Sequence, residues 1–216
     1  MDEDQHALAL LKETGERCQT LAREWTTRLT ETDRDHLSEA FYTAESLAHS
    51  AIIQAMAQVP ETYRAELQSQ LEDEERHIAV FRRWLGDEPE PFGTPPERAR
   101  PNEVWFASLL VNEIAGFCQF HMLAGLCGDP GRKSEVLAIA DDEIIHVQRL
   151  LRWLAPSRDT RAWLVVEAMV NRFLRRLDNR MAQFLPAEPL TPLREEMARL
   201  TAALLTQLAL QPPRAQ

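Results

Sequence analysis

Two five-residue stretches of this chain, Asp73-Glu74-Glu75-Arg76-His77 and Asp142-Glu143-Ile144-Ile145-His146, share the pattern Asp-Glu-x-x-His. Glutamate and histidine three residues apart lie on one face of a helix, so each copy can offer a carboxylate and an imidazole to the same cation. A further glutamate precedes each copy at nearly the same distance: Glu45 stands 29 residues before Glu74, and Glu113 stands 30 before Glu143. The short motif alone is cheap, since Glu3-x-x-His6 also occurs at the acidic terminus with no glutamate upstream. Its duplication with matched upstream glutamates is what carries weight.

Glu45, Glu74, Glu113 and Glu143 each fall within an apolar stripe of helical period, which solvation does not explain. Left unneutralised in a core, each carboxylate would cost on the order of several kcal/mol. No lysine or arginine is expected at the matching inward positions, whereas two divalent cations would cancel the four charges. A donor set of carboxylate and imidazole suits iron or manganese, while structural zinc more typically takes cysteine.

Apolar periodicity predicts helices over 3–29, 33–58, 62–85, 102–127, 132–154, 158–185 and 191–210. Thr32-Asp33, Thr62 and Asn102 are the expected caps, and Gly128-Asp129-Pro130-Gly131 is expected to form a compact turn. Gly15 weakens the first helix, with its stripe Leu8, Leu11, Cys18, Leu21, Trp25 and Leu29. Residues 33–85 and 102–154 form an internal repeat offset by 68 or 69. The proline-rich segment 86–101 between them suits a stiff crossover, and the short connections within each half imply two antiparallel helix hairpins.

Around this donor set, Asp73 and Asp142 are each expected to orient a histidine of the other repeat through its free N–H; the bland alternative is a solvated helix residue. His49, one turn after Glu45, is an extra ligand, a proton donor or a satisfied core histidine. Tyr42, one turn before, is a redox neighbour or a core tyrosine. Ala48, Ile52, Gly116, Phe117 and Phe120 would line an apolar pocket beside the metals, or simply pack the core.

With 216 residues, 44% of them hydrophobic and only seven glycines, the chain suits one mostly helical domain spanning 1–216. The charge of −10 argues against a nucleic-acid partner, because such affinity comes largely from neutralised phosphates. No stretch reaches the roughly 18 uncharged apolar residues of a membrane span. Cys18, Cys118 and Cys127 indicate no disulfide framework, and the opening Met1-Asp2-Glu3-Asp4 is unlike a signal peptide. A cytoplasmic location is the expectation.

Glu45, Glu74-x-x-His77, Glu113 and Glu143-x-x-His146 resemble the ligand set of the ferritin-like di-iron carboxylate superfamily, over about residues 33–154. The resemblance implies an all-α, ferritin-like four-helix bundle flanked by one N-terminal and two C-terminal helices. It implies two iron ions, or an Fe/Mn or Mn/Mn pair. Glu74 and Glu143 would bridge, with Glu45 and His77 on one ion and Glu113 and His146 on the other.

Paired CxxC motifs are absent, and Glu75 stands where a bacterioferritin-like chain has its haem-binding methionine. Length and flanking helices are most similar to the small oxygenase and hydroxylase branch, which includes aldehyde-deformylating oxygenases and tRNA-modifying hydroxylases. That branch implies O2 activation and oxidation of a small, largely apolar substrate beside Phe117 and Ala48, with a separate reductase or ferredoxin as electron donor. The Arg172, Arg175, Arg176 and Arg180 cluster is a dock for such a donor or a solvated basic face. Ferroxidase or iron-handling activity, a manganese catalase-like activity, and a non-catalytic bundle are the alternatives. The apolar flanking helices suit a homodimer.

Overall fold

The computed structural model describes residues 3–23, 31–86, 100–157 and 187–210, with positions 163–164, 168 and 171–172. Among the described residues the chain is all-helical, without a strand. The elements are α1 (Glu3–Arg23), α2 (Glu31–Met56), α3 (Glu61–Leu85), α4 (Asn102–Leu126), α5 (Pro130–Leu154), a 3-10 turn at Ala155–Ser157, and α6 (Ala187–Leu210). Residues 87–99 of the expected crossover lie outside the described residues, as does most of the helix expected over 158–185; its positions 163–164, 168 and 171–172 are helical. Residues 24–29 of the first expected helix, with Trp25 and Leu29, also lie outside them.

Several helix starts differ from the sequence expectation, and those of α3, α4 and α5 are set by prolines. Pro60 and Pro101, not Thr62 and Asn102, precede α3 and α4, with φ −55° and −56° and ψ 151° and no side-chain cap. Proline's fixed φ ends the extended approach, and the first helical N–H groups lack intrahelical partners in any case. At α5 the helix takes in the second half of the expected turn: Asp129 caps it, its Oδ1 accepting from Arg132 N at 2.7 Å, and Pro130 sits in the first turn. Likewise α2 begins at Glu31, so Thr32 and Asp33 lie within it, and α6 begins at Ala187 with Pro189 in its first turn.

Only a few residues connect α2 to α3 and α4 to α5, so each pair folds back on itself. The pairs meet through α2 against α4 and α3 against α5, while α1 lies on α4 and α6. Helix α4 is central and apolar nearly all round. It alone among the described helices is long and apolar enough to cross a membrane by length and composition, and 72% of its most apolar 18-residue window is buried inside the protein.

Packing of α1 onto α4 depends on two glycines. A Cβ on Gly15 would lie 2.5 Å from His121 Nε2, and one on Gly125 would lie 2.7 Å from the Gln19 carbonyl oxygen. The intrinsic cost of Gly15 in a helix is thus offset by seating the His121 ring. Gln19 Nε2 donates to His121 Nδ1 at 2.9 Å, and burial pushes the imidazole down to about 4, keeping it neutral. The buried side of α1 is Ala7, Leu11, Thr14, Cys18 and Ala22, while the expected Leu8 and Leu21 are half-buried.

Candidate metal centre

Each helix of the two hairpins delivers its donors to one buried place. Glu45 comes from α2, Glu74 and His77 from α3, Glu113 from α4, Glu143 and His146 from α5, and all six are buried. Their atoms form two groups: Glu45, Glu74, His77 and Glu143, and Glu74, Glu113, Glu143 and His146. Within each group the donor atoms lie within 4.8 Å of one another. A cation bonded to oxygen and nitrogen at roughly 2.0–2.2 Å spans such a set after only small adjustments. Glu74 and Glu143 belong to both groups.

Each imidazole is held on two sides. His77 Nδ1 faces Glu45 Oε2 at 3.0 Å, and His146 Nδ1 faces Glu113 Oε2 at 3.1 Å. On the far edges, His77 Nε2 lies 3.1 Å from Asp142 Oδ2 and His146 Nε2 lies 2.9 Å from Asp73 Oδ2. Each aspartate therefore touches the histidine of the other hairpin. Arg76 contacts both aspartates, at Asp73 Oδ1 and at Asp142 Oδ2.

The four buried carboxylates repel one another. Burial first, and then the surrounding Glu45, Glu113 and Glu143 charges, push the Glu74 carboxyl well above its ordinary range. Burial and the neighbouring Glu113 do the same to Glu143. Burial opposes ionisation of Glu113 too, but hydrogen bonds from Glu143 and His146 outweigh it and lower its pKa. Burial likewise disfavours charge on His146, yet its bonds to Asp73 and Glu113 raise it to about 9. His77 is raised in the same way by Asp142 and Glu45, against its own desolvation. Desolvation of Asp73 is outweighed by His146 and Arg76, which bring it down to about 2.

Protonation of Glu74 and Glu143 relieves part of the repulsion among the four carboxylates. Even so, two buried oxygens, Glu74 Oε2 and Glu143 Oε2, have no hydrogen-bond partner. Orphaned buried acceptors are rare. That these two sit on the residues common to both donor groups fits a pair of cations held between them.

The remaining candidates are placed as follows. His49 is half-buried and points to Glu75, with Nε2 3.5 Å from its carboxylate, and is in neither donor group. Tyr42 is buried in the apolar core. Ile52, Phe117 and Phe120 are fully buried; Phe120 packs against Phe41, Phe81 and His77. Ala48 and Gly116 are half-buried, and a Cβ on Gly116 would lie 3.4 Å from Glu143 Oε1.

One expectation is corrected. An arginine does approach the cluster: Arg149 is buried and lies 3.5 Å from Gln70 Oε1, and buried Gln70 donates to Glu113 Oε1 at 2.9 Å. Both residues lie on the inward sides of their helices, Gln70 one turn before Glu74 and Arg149 one turn after His146. Arg149 is tolerated there because NH1 donates to the Glu66 carbonyl at 2.8 Å and its guanidinium faces the Glu66 carboxylate. The helical spacing from His146 was the available signal.

No protein-family model, curated protein or solved structure matches the chain.

Proposed function

We propose that this chain is a ferritin-like dinuclear metalloprotein, with α2–α5 as its four-helix bundle and α1 and α6 flanking it, and that it is an O2-activating oxidoreductase. A single observation carries the metal assignment: Glu74 and Glu143 are each common to both donor groups, and each has a buried oxygen without a partner. Shared cations satisfy both conditions at once. When bound, two iron ions, or an Fe/Mn or Mn/Mn pair, supply redox chemistry toward O2, with electrons from a separate reductase or ferredoxin.

The chain's own residues have separable tasks. Glu45 and His77 would hold one ion and Glu113 and His146 the other, with Glu74 and Glu143 available to both. Asp73 and Asp142 accept the histidine N–H bonds and so fix the imidazole tautomers with Nδ1 turned inward. Glu74 and Glu143, whose carboxyls burial and their neighbours push well above the ordinary range, would give up protons to bind cations. Ala48 and Gly116, small and half-buried, are the approach for a small, largely apolar substrate; Gly116 sets no side chain beside the buried Glu143 carboxylate, 3.4 Å from where its Cβ would lie.

The full burial of Ile52, Phe117 and Phe120 favours a second reading, in which the reactant is smaller still: ferrous iron or peroxide. O2 uptake by reduced protein carrying only two equivalents of iron separates these. Sustained uptake that depends on reductant and an added apolar substrate supports the oxygenase. Uptake that scales only with added ferrous iron makes the chain a ferroxidase, and peroxide disproportionation with manganese makes it catalase-like. A Glu113→Ala chain that performs every one of these reactions like the wild type would make it a non-catalytic bundle.

A further inference from the structure

The two donor groups differ in their surroundings, and the difference lies in residues that the internal repeat does not share. Gln70 on α3, fully buried, donates from Nε2 to Glu113 Oε1 at 2.9 Å. Arg149 on α5 stands behind it, 3.5 Å from Gln70 Oε1 and anchored on the Glu66 carbonyl at 2.8 Å. The offset of 69 that places Glu74 on Glu143 and His77 on His146 places Gln70 on Ile139 and Val80 on Arg149. Glu45, the counterpart of Glu113, thus receives neither an amide nor a guanidinium from those positions.

The chemistry of this asymmetry is direct. Gln70 engages one Glu113 oxygen, leaving Oε2, which faces His146 Nδ1 at 3.1 Å, as the oxygen turned toward a cation. A hydrogen bond donated to a carboxylate draws on the electron density a metal would use. A guanidinium charge behind that bond opposes a further cation, and in a buried setting it is weakly screened. The Glu66 carboxylate that faces Arg149 is nearly half exposed and offsets only part of this. Arg76 touches the histidine partners of both positions, Asp73 more closely than Asp142 at 3.2 Å, so its charge is not confined to one of them as that of Arg149 is.

We propose that the two cation positions are inequivalent and fill in order. The Glu45/His77 position fills first and tightly, the Glu113/His146 position second and loosely, with Gln70 and Arg149 setting the gap. This inference rests on the dinuclear reading. Its consequence is a stable one-metal state and, when two kinds of cation compete, a mixed pair with the exchangeable ion beside Glu113.

Calorimetric titration of the full metal-free chain with Mn2+ alone, followed by electron paramagnetic resonance, tests it. Two steps are expected, with Kd values at least tenfold apart, and the first equivalent should give the signal of isolated Mn2+. Magnetic coupling should grow only with the second. His146→Ala should keep the tight step and His77→Ala should lose it. Arg149→Met and Gln70→Leu should each narrow the gap at least threefold, while Arg149→Lys, which keeps the charge, should retain most of it. Coupled ions from the first equivalent, the tight step surviving His77→Ala but not His146→Ala, or a gap unchanged in both Arg149→Met and Gln70→Leu would overturn the proposal. Failure to bind Mn2+ at all would remove the dinuclear reading itself. The two histidine variants read the order of filling without disturbing Gln70 or Arg149, so the test survives if either core variant fails to fold.

Discussion

The Nε2 of His146 on α5 lies 2.9 Å from Asp73 Oδ2 on α3, so the second hairpin's histidine is aimed by a carboxylate of the first. His77 and Asp142 repeat the relationship in the opposite direction at 3.1 Å. The two halves of the chain therefore complete each other's imidazoles. Asp73→Ala and Asp142→Ala should each weaken metal binding by roughly 10–100-fold, the usual effect of removing such a partner. Competition against a chelator of known affinity measures this. Unchanged affinity would reduce the aspartates to solvated helix residues.

Glu74 is held in the metal-free protein against burial and three neighbouring carboxylates. Glu74→Gln removes a charge that the apo-protein must suppress, and it also removes a donor common to both groups. The variant should be more stable than the metal-free wild type at pH 8, by on the order of 1 kcal/mol, and melt correspondingly higher. It should also bind fewer than two cations per chain. Thermal melts and metal analysis of the same sample check both halves.

The pKa shifts give a signed pH dependence. His146, raised from 6.5 to about 9, contributes stability that is complete below 6.5 and lost as pH rises through about 9. Glu74 and Glu143, also raised, contribute stability that is complete below their ordinary 4.5 and lost as pH climbs through their folded values. Asp73, lowered to about 2, works the other way: its contribution is present above 3.8 and disappears as pH falls through about 2. The metal-free protein should therefore lose stability from pH 6 to pH 9. Cations displace the same protons, so metal affinity should rise over that range. The melting-temperature gap between metal-loaded and metal-free protein should be wider at pH 8 than at pH 6; a constant gap would contradict this.

Gly15 and His121 make a separate prediction about the fold. Gly15→Ala gains roughly 1 kcal/mol of helix propensity, but its Cβ would meet the His121 ring at 2.5 Å. Overpacking typically costs about 1–3 kcal/mol, so net destabilisation in urea is expected. In the His121→Ala background the same substitution should cost less or become stabilising. Equal effects in both backgrounds would show that the ring does not occupy that space.

Much of the candidate centre was legible because it consists of residues that contradict their surroundings. Glu45 and Glu113 are carboxylates at core positions of apolar stripes, and a buried charge needs a partner. The helix types followed from periodicity, but their starts did not, because Pro60, Pro101 and Pro130 set them rather than the polar residues nearby. Gly15 read as a weakness until α4 brought His121 across it. Gln70 and Arg149 were missed for a related reason. A glutamine or arginine on a helix is ordinarily solvated, and only the packing of α5 against α3 places Arg149 beside Gln70 and the Glu66 backbone.

The central claim is that six side chains from four helices hold two cations. Elemental analysis of protein purified without added metal, repeated after anaerobic reconstitution with Fe2+ and removal of free ions, tests it most directly. Two equivalents per chain in the wild type, with at most one retained in His77→Ala and in His146→Ala, is the expected result. Wild-type protein that retains no metal, or two equivalents surviving both histidine substitutions, would contradict it.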